Sequence, residues 1–282
     1  MSLRERLQQV LGQTVSSLSS LSGGCVAEVF AATLHDGQKI VSKSGQPGSS
    51  LDLEARMLIY LDINTNLPVP KVLHSEDTLL IMTRLPSGHD LSPDAQYHAA
   101  DLIAALHDQY ASHFGFDYDT MIGGLHQPNP KTPTWVAFFR DHRLLYMANE
   151  SYRANQITLN LLSRLEKLAE NIESHLSEPE KPCLIHGDLW GGNILCHSNK
   201  ITGLIDPAIY FAHPEIELAF STLFSTFNSL FFDRYREQRP IEPGFFEERL
   251  DIYNLYPLLV HTRLFGGHYV SQVERTLRQY GY

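Results

Sequence analysis

The chain has 282 residues, 43% hydrophobic and 19% charged, the composition of an ordinary globular protein long enough for one large domain or two small lobes. Its formal net charge of -10 repels phosphate backbones and argues against nucleic acid as a partner, while one local basic pocket would suffice for a nucleotide. Cys25, Cys183 and Cys196 form neither a CxxC pair nor a zinc-type spacing, the N-terminus is polar, and no run of about 18 apolar residues occurs, so the expectation is a cytoplasmic protein without a membrane span.

In chain order, residues 26–33 and 38–43 read as two strands joined by the turn His35-Asp36-Gly37. Residues 52–62 read as a short helix, because Leu53, Met57 and Leu61 recur on one face. Pro68 and Pro70 interrupt the chain, residues 79–83 form a buried strand, and Pro86-Ser87-Gly88 ends it. Ser92-Pro93 opens a helix predicted to reach Tyr110, and Thr132-Pro133 opens another through Trp135 and Leu144. Further helices are predicted over 156–176, 214–228, 245–256 and 258–280, with short β-runs at 183–186, 194–197 and 201–205. The expected architecture is α+β. A small β-rich nucleotide-binding lobe occupies residues 1–85, and a larger, mainly helical catalytic and acceptor-binding lobe occupies 86–282.

The strongest chemical signal is His186-x-Asp188-x-x-x-x-Asn193, followed by Asp206-Pro207. Phosphoryl transfer needs a carboxylate to orient and deprotonate the attacking hydroxyl, and oxygen ligands to hold magnesium on the phosphates. Asp188 and Asn193 have the spacing of a kinase catalytic loop, and the β-run 201–205 delivers Asp206. Upstream, Gly23-Gly24 precedes a strand, Lys43 ends the next one, and Glu54 lies on the short helix. That is the order of a glycine-containing phosphate cover, a phosphate-binding lysine and the carboxylate that orients it. Only seven residues separate Asp206 from Pro214, so there is no long activation segment to hold a peptide, and a small hydroxyl-bearing acceptor is expected.

The stretch His186-Gly187-Asp188-Leu189-Trp190-Gly191-Gly192-Asn193 resembles the catalytic loop of the fructosamine kinases, or ketosamine 3-kinases, relatives of the aminoglycoside phosphotransferases with a two-lobed protein-kinase-like fold. The resemblance extends through Gly23-Gly24-Cys25-Val26, Gln127-Pro128-Asn129, Trp135 to Leu144, Asp206-Pro207-Ala208-x-Tyr210 and His261 to Gly267. It implies transfer of ATP's γ-phosphate to the 3-hydroxyl of a fructosamine or ribulosamine, a step in removing sugar from a glycated amine. By the same resemblance Asp188 is the base, Asn193 and Asp206 hold Mg2+, and Lys43 with Glu54 grips the α/β-phosphates. Backbone groups near Thr83 and Leu85 bind adenine. Trp190 either walls the sugar or packs in the large lobe. Cys25 either fills a tight turn or links two chains by oxidation, so a monomer and a redox-linked dimer both stay open. Glu217 either braces the loop or sits exposed at a helix start.

Two departures from the family pattern bear on the acceptor. His213-Pro214-Glu215 lacks a basic residue between His and Glu, and Phe224-Ser225-Thr226-Phe227 stands where relatives often carry Phe-Gly-Gly-Phe. A kinase for an aminoglycoside, amino alcohol or free sugar is the alternative within this fold. A nucleotide-binding scaffold without catalysis is the alternative outside it.

Overall fold

The computed structural model describes residues 1–21, 27–88 and 91–282. Gly23, Gly24 and Cys25 lie outside the described residues. The first helix, α1 (Leu3–Leu11), begins with a capping box. Ser2 Oγ accepts the Glu5 N–H, and the Glu5 carboxylate accepts the Ser2 N–H. Five strands follow: β1 (Val15–Leu21), β2 (Glu28–Leu34), β3 (Lys39–Ser44), then α2 (Leu51–Asn64), β4 (Val72–Glu76) and β5 (Leu79–Thr83). They form one antiparallel sheet in the order β1-β2-β3-β5-β4.

Alternation along β3 sorts its side chains. Ile40 faces Leu7 of α1 together with Val15, Ala32, Leu34, Leu79 and Ile81, while Lys43 points to the opposite face beside its cross-strand partner Leu80. The helix α2 is entered through Asp77, whose carboxylate accepts the N–H groups of Gly48 and Ser50. Met57 and Leu61 are buried as its periodicity requires, with Ala55 and Leu58 beside them, whereas Leu53 is only partly covered. The Ser-rich β1 and the strand β4 carry no two-residue alternation and are not predicted by the sequence. Both are edge strands with largely exposed side chains, so little apolar burial marks them.

Farther along come α3 (Pro93–His107), the hairpin β6 (Thr120–Ile122) and β7 (Leu125–Gln127), α4 (Trp135–Phe139), α5 (Leu145–Arg153) and α6 (Leu159–Glu170). The short strands β8 (Cys183–Ile185), β9 (Ile194–His197), β10 (Lys200–Leu204) and β11 (Tyr210–Ala212) are followed by α7 (Glu215–Leu223), α8 (Ser229–Gln238), α9 (Leu250–Phe265) and α10 (His268–Gln279). Ser92 Oγ caps α3 by accepting the Ala95 N–H. That helix stops at His107, short of the expected Tyr110. A wider π-type turn, Arg140–Leu144, joins α4 to α5. The helix expected over 214–228 ends at Leu223, and Asn228 caps a separate α8.

The largest correction concerns Pro257. The sequence reads it as the break between two helices, but α9 runs through it. Every residue from Ile252 to Val260 is buried, so packing holds the helix across the missing N–H. The break falls at Gly266-Gly267, both at positive φ (60° and 64°).

By contact, the chain divides into two compact units. One is Met1–Ala95 with Asn193–Pro207, and the other is Gln96–Gly192 with Ala208–Tyr282. The β9–β10 hairpin goes with the first unit because Leu204 N–H donates to Pro68 O, the Thr202 hydroxyl donates to Pro86 O, and Gly203 leaves room for the Leu85 side chain. The second unit is built on an aromatic centre in which Trp135 is fully buried among Phe114, Phe138, Phe139 and Tyr253 and donates its Nε1–H to the Tyr253 hydroxyl at 3.1 Å. The architecture is α+β, with the sheet in the first unit and most helices in the second. Among the described residues no helix is long and apolar enough to cross a membrane.

Candidate active site

In the first unit, Lys43 projects from the central strand β3 and Glu54 from α2, and their side chains meet at 2.8 Å. Lys43 also bonds the Asp206 carboxylate. Both Lys43 and Glu54 are 12% exposed, and Asp206 is 39% exposed. Burial would lower the Lys43 pKa, but the two carboxylates outweigh it and hold the ammonium above its ordinary value. Burial pushes the Glu54 carboxyl up, against the pull of Lys43.

The β9–β10 hairpin explains how Asn193 and Asp206 come together. Ile194 pairs with Leu204, and Ile205 N–H donates to Asn193 O at 3.0 Å, so the next residue, Asp206, emerges beside Asn193. Asp206 adopts a left-handed backbone (φ 54°), which is strained for a residue with a side chain and is better tolerated by aspartate than by most. Among the described residues, no group of three or more His, Cys, Asp or Glu side chains could hold a metal on its own. Two chain oxygen donors, Asn193 and Asp206, suit magnesium, which keeps its other positions for phosphate oxygens and water.

At the end of β5, Thr83 N–H is taken by Lys71 O and Arg84 N–H by Lys39 O. The Thr83 N–H is therefore engaged within the sheet, and the Leu85 side chain lies against Gly203.

In the second unit, the loop that carries Asp188 is clamped from below. Gly187 has φ 85°, and a Cβ there would meet Ala208 O at 2.0 Å, so only glycine fits. Ala208 N–H donates to His186 O at 2.8 Å, and Gln127 Nε2 donates to Ala208 O at 3.1 Å. Gly187 N–H donates to Glu217 Oε1 at 2.7 Å. The other oxygen of Glu217 lies 2.9 Å from His107 Nε2, and His107 Nδ1 lies 2.7 Å from the Tyr235 hydroxyl. A carboxylate only accepts, so His107 Nε2 carries the proton of that bond and donates it to Glu217. Burial alone would raise the Glu217 pKa, but His107, His186 and the Gly187 N–H together hold it below its ordinary value. Glu217 is therefore a buried brace of the loop and not an exposed helix residue. His186 is fully buried, and its Nδ1 accepts a long 3.4 Å bond from Asp188 N–H, the geometry of a prop.

Trp190 is 37% exposed, so it is not a core residue of the second unit. Its indole lies over Gly192, where a Cβ would meet the ring at 2.4 Å, and its centroid is 5.7 Å from Phe224. Gly191 N–H donates to the Thr226 hydroxyl at 2.9 Å. The Phe224-Ser225-Thr226-Phe227 departure thus touches the tryptophan loop directly. Ser225 holds a left-handed φ of 51° where relatives often place glycine, and Thr226 supplies a loop bond that glycine lacks. The other departure is structural. His213 is buried between Trp135 and Tyr253, and Glu215 makes a two-point bond with Arg249 at 2.6 and 2.7 Å. Burial pushes the His213 pKa down to about 3, so its imidazole is neutral at pH 7 and its 3.9 Å approach to Glu215 is no ion pair.

The sequence profile of the fructosamine kinase family matches residues 1–281. The chain belongs to the fructosamine kinase family. It is 31% identical to a Synechocystis protein named probable ketoamine kinase, over 98% of this chain and 95% of that one. It is 30% identical to the chloroplastic protein-ribulosamine 3-kinase of Oryza sativa subsp. indica, over 94% of this chain and 79% of that one. A fructosamine-3-kinase homologue from Thermobifida fusca superposes with a TM-score of 0.87 at 28% identity, covering 98% of this chain and 99% of that one. An aminoglycoside phosphotransferase solved with ADP and hygromycin B superposes at 0.73 and 18% identity, with both chains fully covered. That likeness shows the fold alone, which is protein-kinase-like.

Several functional contacts of this family member escape the sequence reading. Gln127, Asn129 and Arg143 stand out in the sequence only as parts of a family pattern. In the structure Arg143 is fully buried, with its guanidinium 3.8 Å from the Tyr210 ring centroid and bonded to Pro128 O and Asn129 Oδ1. The Tyr256 hydroxyl bonds Gln127 Oε1 at 2.6 Å, so this network ends on Ala208 under the loop. His107 carries no local signal, because its partners lie 110 and 128 residues away.

Proposed function

We propose that this chain transfers the γ-phosphate of ATP to the 3-hydroxyl of a ketosamine, a fructosamine or ribulosamine carried on an amine. The observation that carries the reading is the Lys43 ammonium held between Glu54 and Asp206, with Asn193 beside Asp206 across one hairpin. Family membership, with relatives named ketoamine kinase and ribulosamine 3-kinase, supports the choice of acceptor.

In this reading Lys43 exchanges the Asp206 carboxylate for the α/β-phosphates of ATP, while Glu54 keeps its ammonium aimed. Asp206 and Asn193 are then free to hold Mg2+, which when bound supplies positive charge to the phosphate oxygens. Gly23 and Gly24 cover the phosphates, and the backbone near Thr83 and Leu85 borders the adenine. Asp188 accepts the proton of the attacking 3-hydroxyl. The new bond forms from that oxygen to the γ-phosphorus as the bond to the β–γ bridging oxygen breaks, and ADP leaves. Trp190 lies against the sugar.

A coupled ATP-consumption assay tests the reading against ribulosamines, fructosamines, aminoglycosides, amino alcohols and free sugars, with and without Mg2+. Turnover should require Mg2+ and be greatest on a ketosamine. Turnover confined to an aminoglycoside or amino alcohol would replace the acceptor, and nucleotide binding without turnover on any of them would reject the reading.

A further inference from the structure

The second unit carries a line of rings that the proposed chemistry leaves unused beyond its first member. Trp190 is 5.7 Å from Phe224, Phe224 is 5.0 Å from His261, and His261 is 5.0 Å from Tyr269 and 5.8 Å from Phe265. His268 closes the line, 4.0 Å from Tyr269. None of the six is buried, and Phe265 is 54% exposed. They come from four places in the chain: the catalytic loop, the end of α7, the end of α9 and the start of α10. The left-handed Gly266-Gly267 break makes the last step possible, because it turns α10 back so that Tyr269 faces His261 and Phe265.

A contiguous run of rings, three exposed (Trp190, Phe265 and His268) and three partly exposed (Phe224, His261 and Tyr269), marks a recognition surface, because rings on an ordinary surface would be scattered singly. Its position decides the occupant. It begins at Trp190, two residues from Asp188, and runs outward along the second unit. If Trp190 lies on the sugar, the rings beyond it meet whatever the sugar is attached to. In a ketosamine that is an amine, whose secondary ammonium is drawn to π faces and whose substituent extends farther.

We infer that Phe265 and Tyr269 form the subsite for the amine portion of the acceptor, and that they select amines bearing an aromatic or extended apolar substituent. This rests on the ketosamine reading above and adds its amine specificity.

The test uses the full chain, one sugar and a graded set of amines: ketosamines of methylamine, butylamine, benzylamine and phenethylamine. The wild-type enzyme should favour the benzylamine and phenethylamine acceptors. In a Phe265→Ala/Tyr269→Ala variant the ratio of kcat/KM for benzylamine over methylamine acceptors should fall at least tenfold, with the change in KM. Tyr269→Phe should keep the wild-type ratio, since the ring and not the hydroxyl is the contact, and this milder change remains informative if the double variant folds poorly. An unchanged ratio in the double variant, or an equal loss on every amine, would overturn the subsite while leaving the kinase reading intact. Self-association of the wild type that the double variant abolishes, with acceptor preference unchanged, would overturn it in favour of a second copy. A wild-type chain that phosphorylates no ketosamine would defeat the parent reading and this inference together.

Discussion

Each unit holds its own candidate functional groups, and the two do so in opposite ways. In the first, Lys43, Glu54 and Asp206 are three charges in mutual contact, and the Asp206 carboxylate remains 39% exposed. In the second, the Asp188 loop rests on backbone bonds to buried groups: Glu217, His107 and Ala208 lie beneath it with almost no exposure. The contrast has a physical logic. Groups that must trade partners when a polyanion arrives are joined by ion pairs that phosphate can replace. The base proposed at Asp188, which would have to meet one hydroxyl in one geometry, is carried by a loop bonded to buried groups.

Breaking the exchangeable side should have the larger effect. Lys43→Met removes the phosphate contact and leaves Glu54 buried without its partner. It should lower kcat by roughly 100- to 1000-fold and weaken ATP binding. Steady-state kinetics with ATP titration reads both, and near-normal kcat in that variant would remove Lys43 from the chemistry.

The framework side should respond by position. Glu217→Gln keeps an acceptor for Gly187 N–H, whereas Glu217→Ala leaves that N–H and the His107 Nε2–H unpaired. The alanine variant should lose about 3 kcal/mol of stability and on the order of 10- to 100-fold in kcat with little change in the KM for ATP. The glutamine variant should recover most of both. Equal behaviour of the two in urea melts and kinetics would show that the Gly187 bond does not position the loop.

The smallest effect lies away from both sites and calibrates them. His213 is pushed down to about 3 in the folded chain, against 6.5 for an ordinary imidazole. Between those values the unfolded chain binds a proton that the folded chain excludes, so the stability it contributes is complete above pH 6.5 and declines as pH falls toward 3. By pH 5 the loss should be about 2 kcal/mol. Urea denaturation at pH 7 and pH 5 should show that increment in the wild type and not in His213→Gln. The same pH dependence in both would assign it to other groups.

The chemistry was more legible in the sequence than its support. Asp188, Asn193 and Asp206 could be read because a loop and a strand carry them within 19 residues, and Lys43 with Glu54 because they follow Gly23-Gly24 in the order of a kinase phosphate site. Glu217 was visible, but its burial was not. His107 and Tyr256 could not be read, and Gln127 only as part of a family pattern, because each acts through a partner far along the chain. The same limit shaped the fold. Val15–Leu21 has serines where a strand would alternate, and Pro257 reads as a break until the packing around α9 is seen. In both places tertiary context overrides the local pattern.

In the proposed reaction Asp188 takes the proton from the sugar's 3-hydroxyl as ATP phosphorylates it. Phosphorus NMR of the product from a ribulosamine and ATP, run with the wild type and with Asp188→Asn at matched nucleotide occupancy, tests it most directly. The expected result is a phosphate on carbon 3 from the wild type and a rate at least about 1000-fold lower from the variant, with ATP affinity preserved. A phosphate at another position, or comparable turnover by Asp188→Asn, would contradict it.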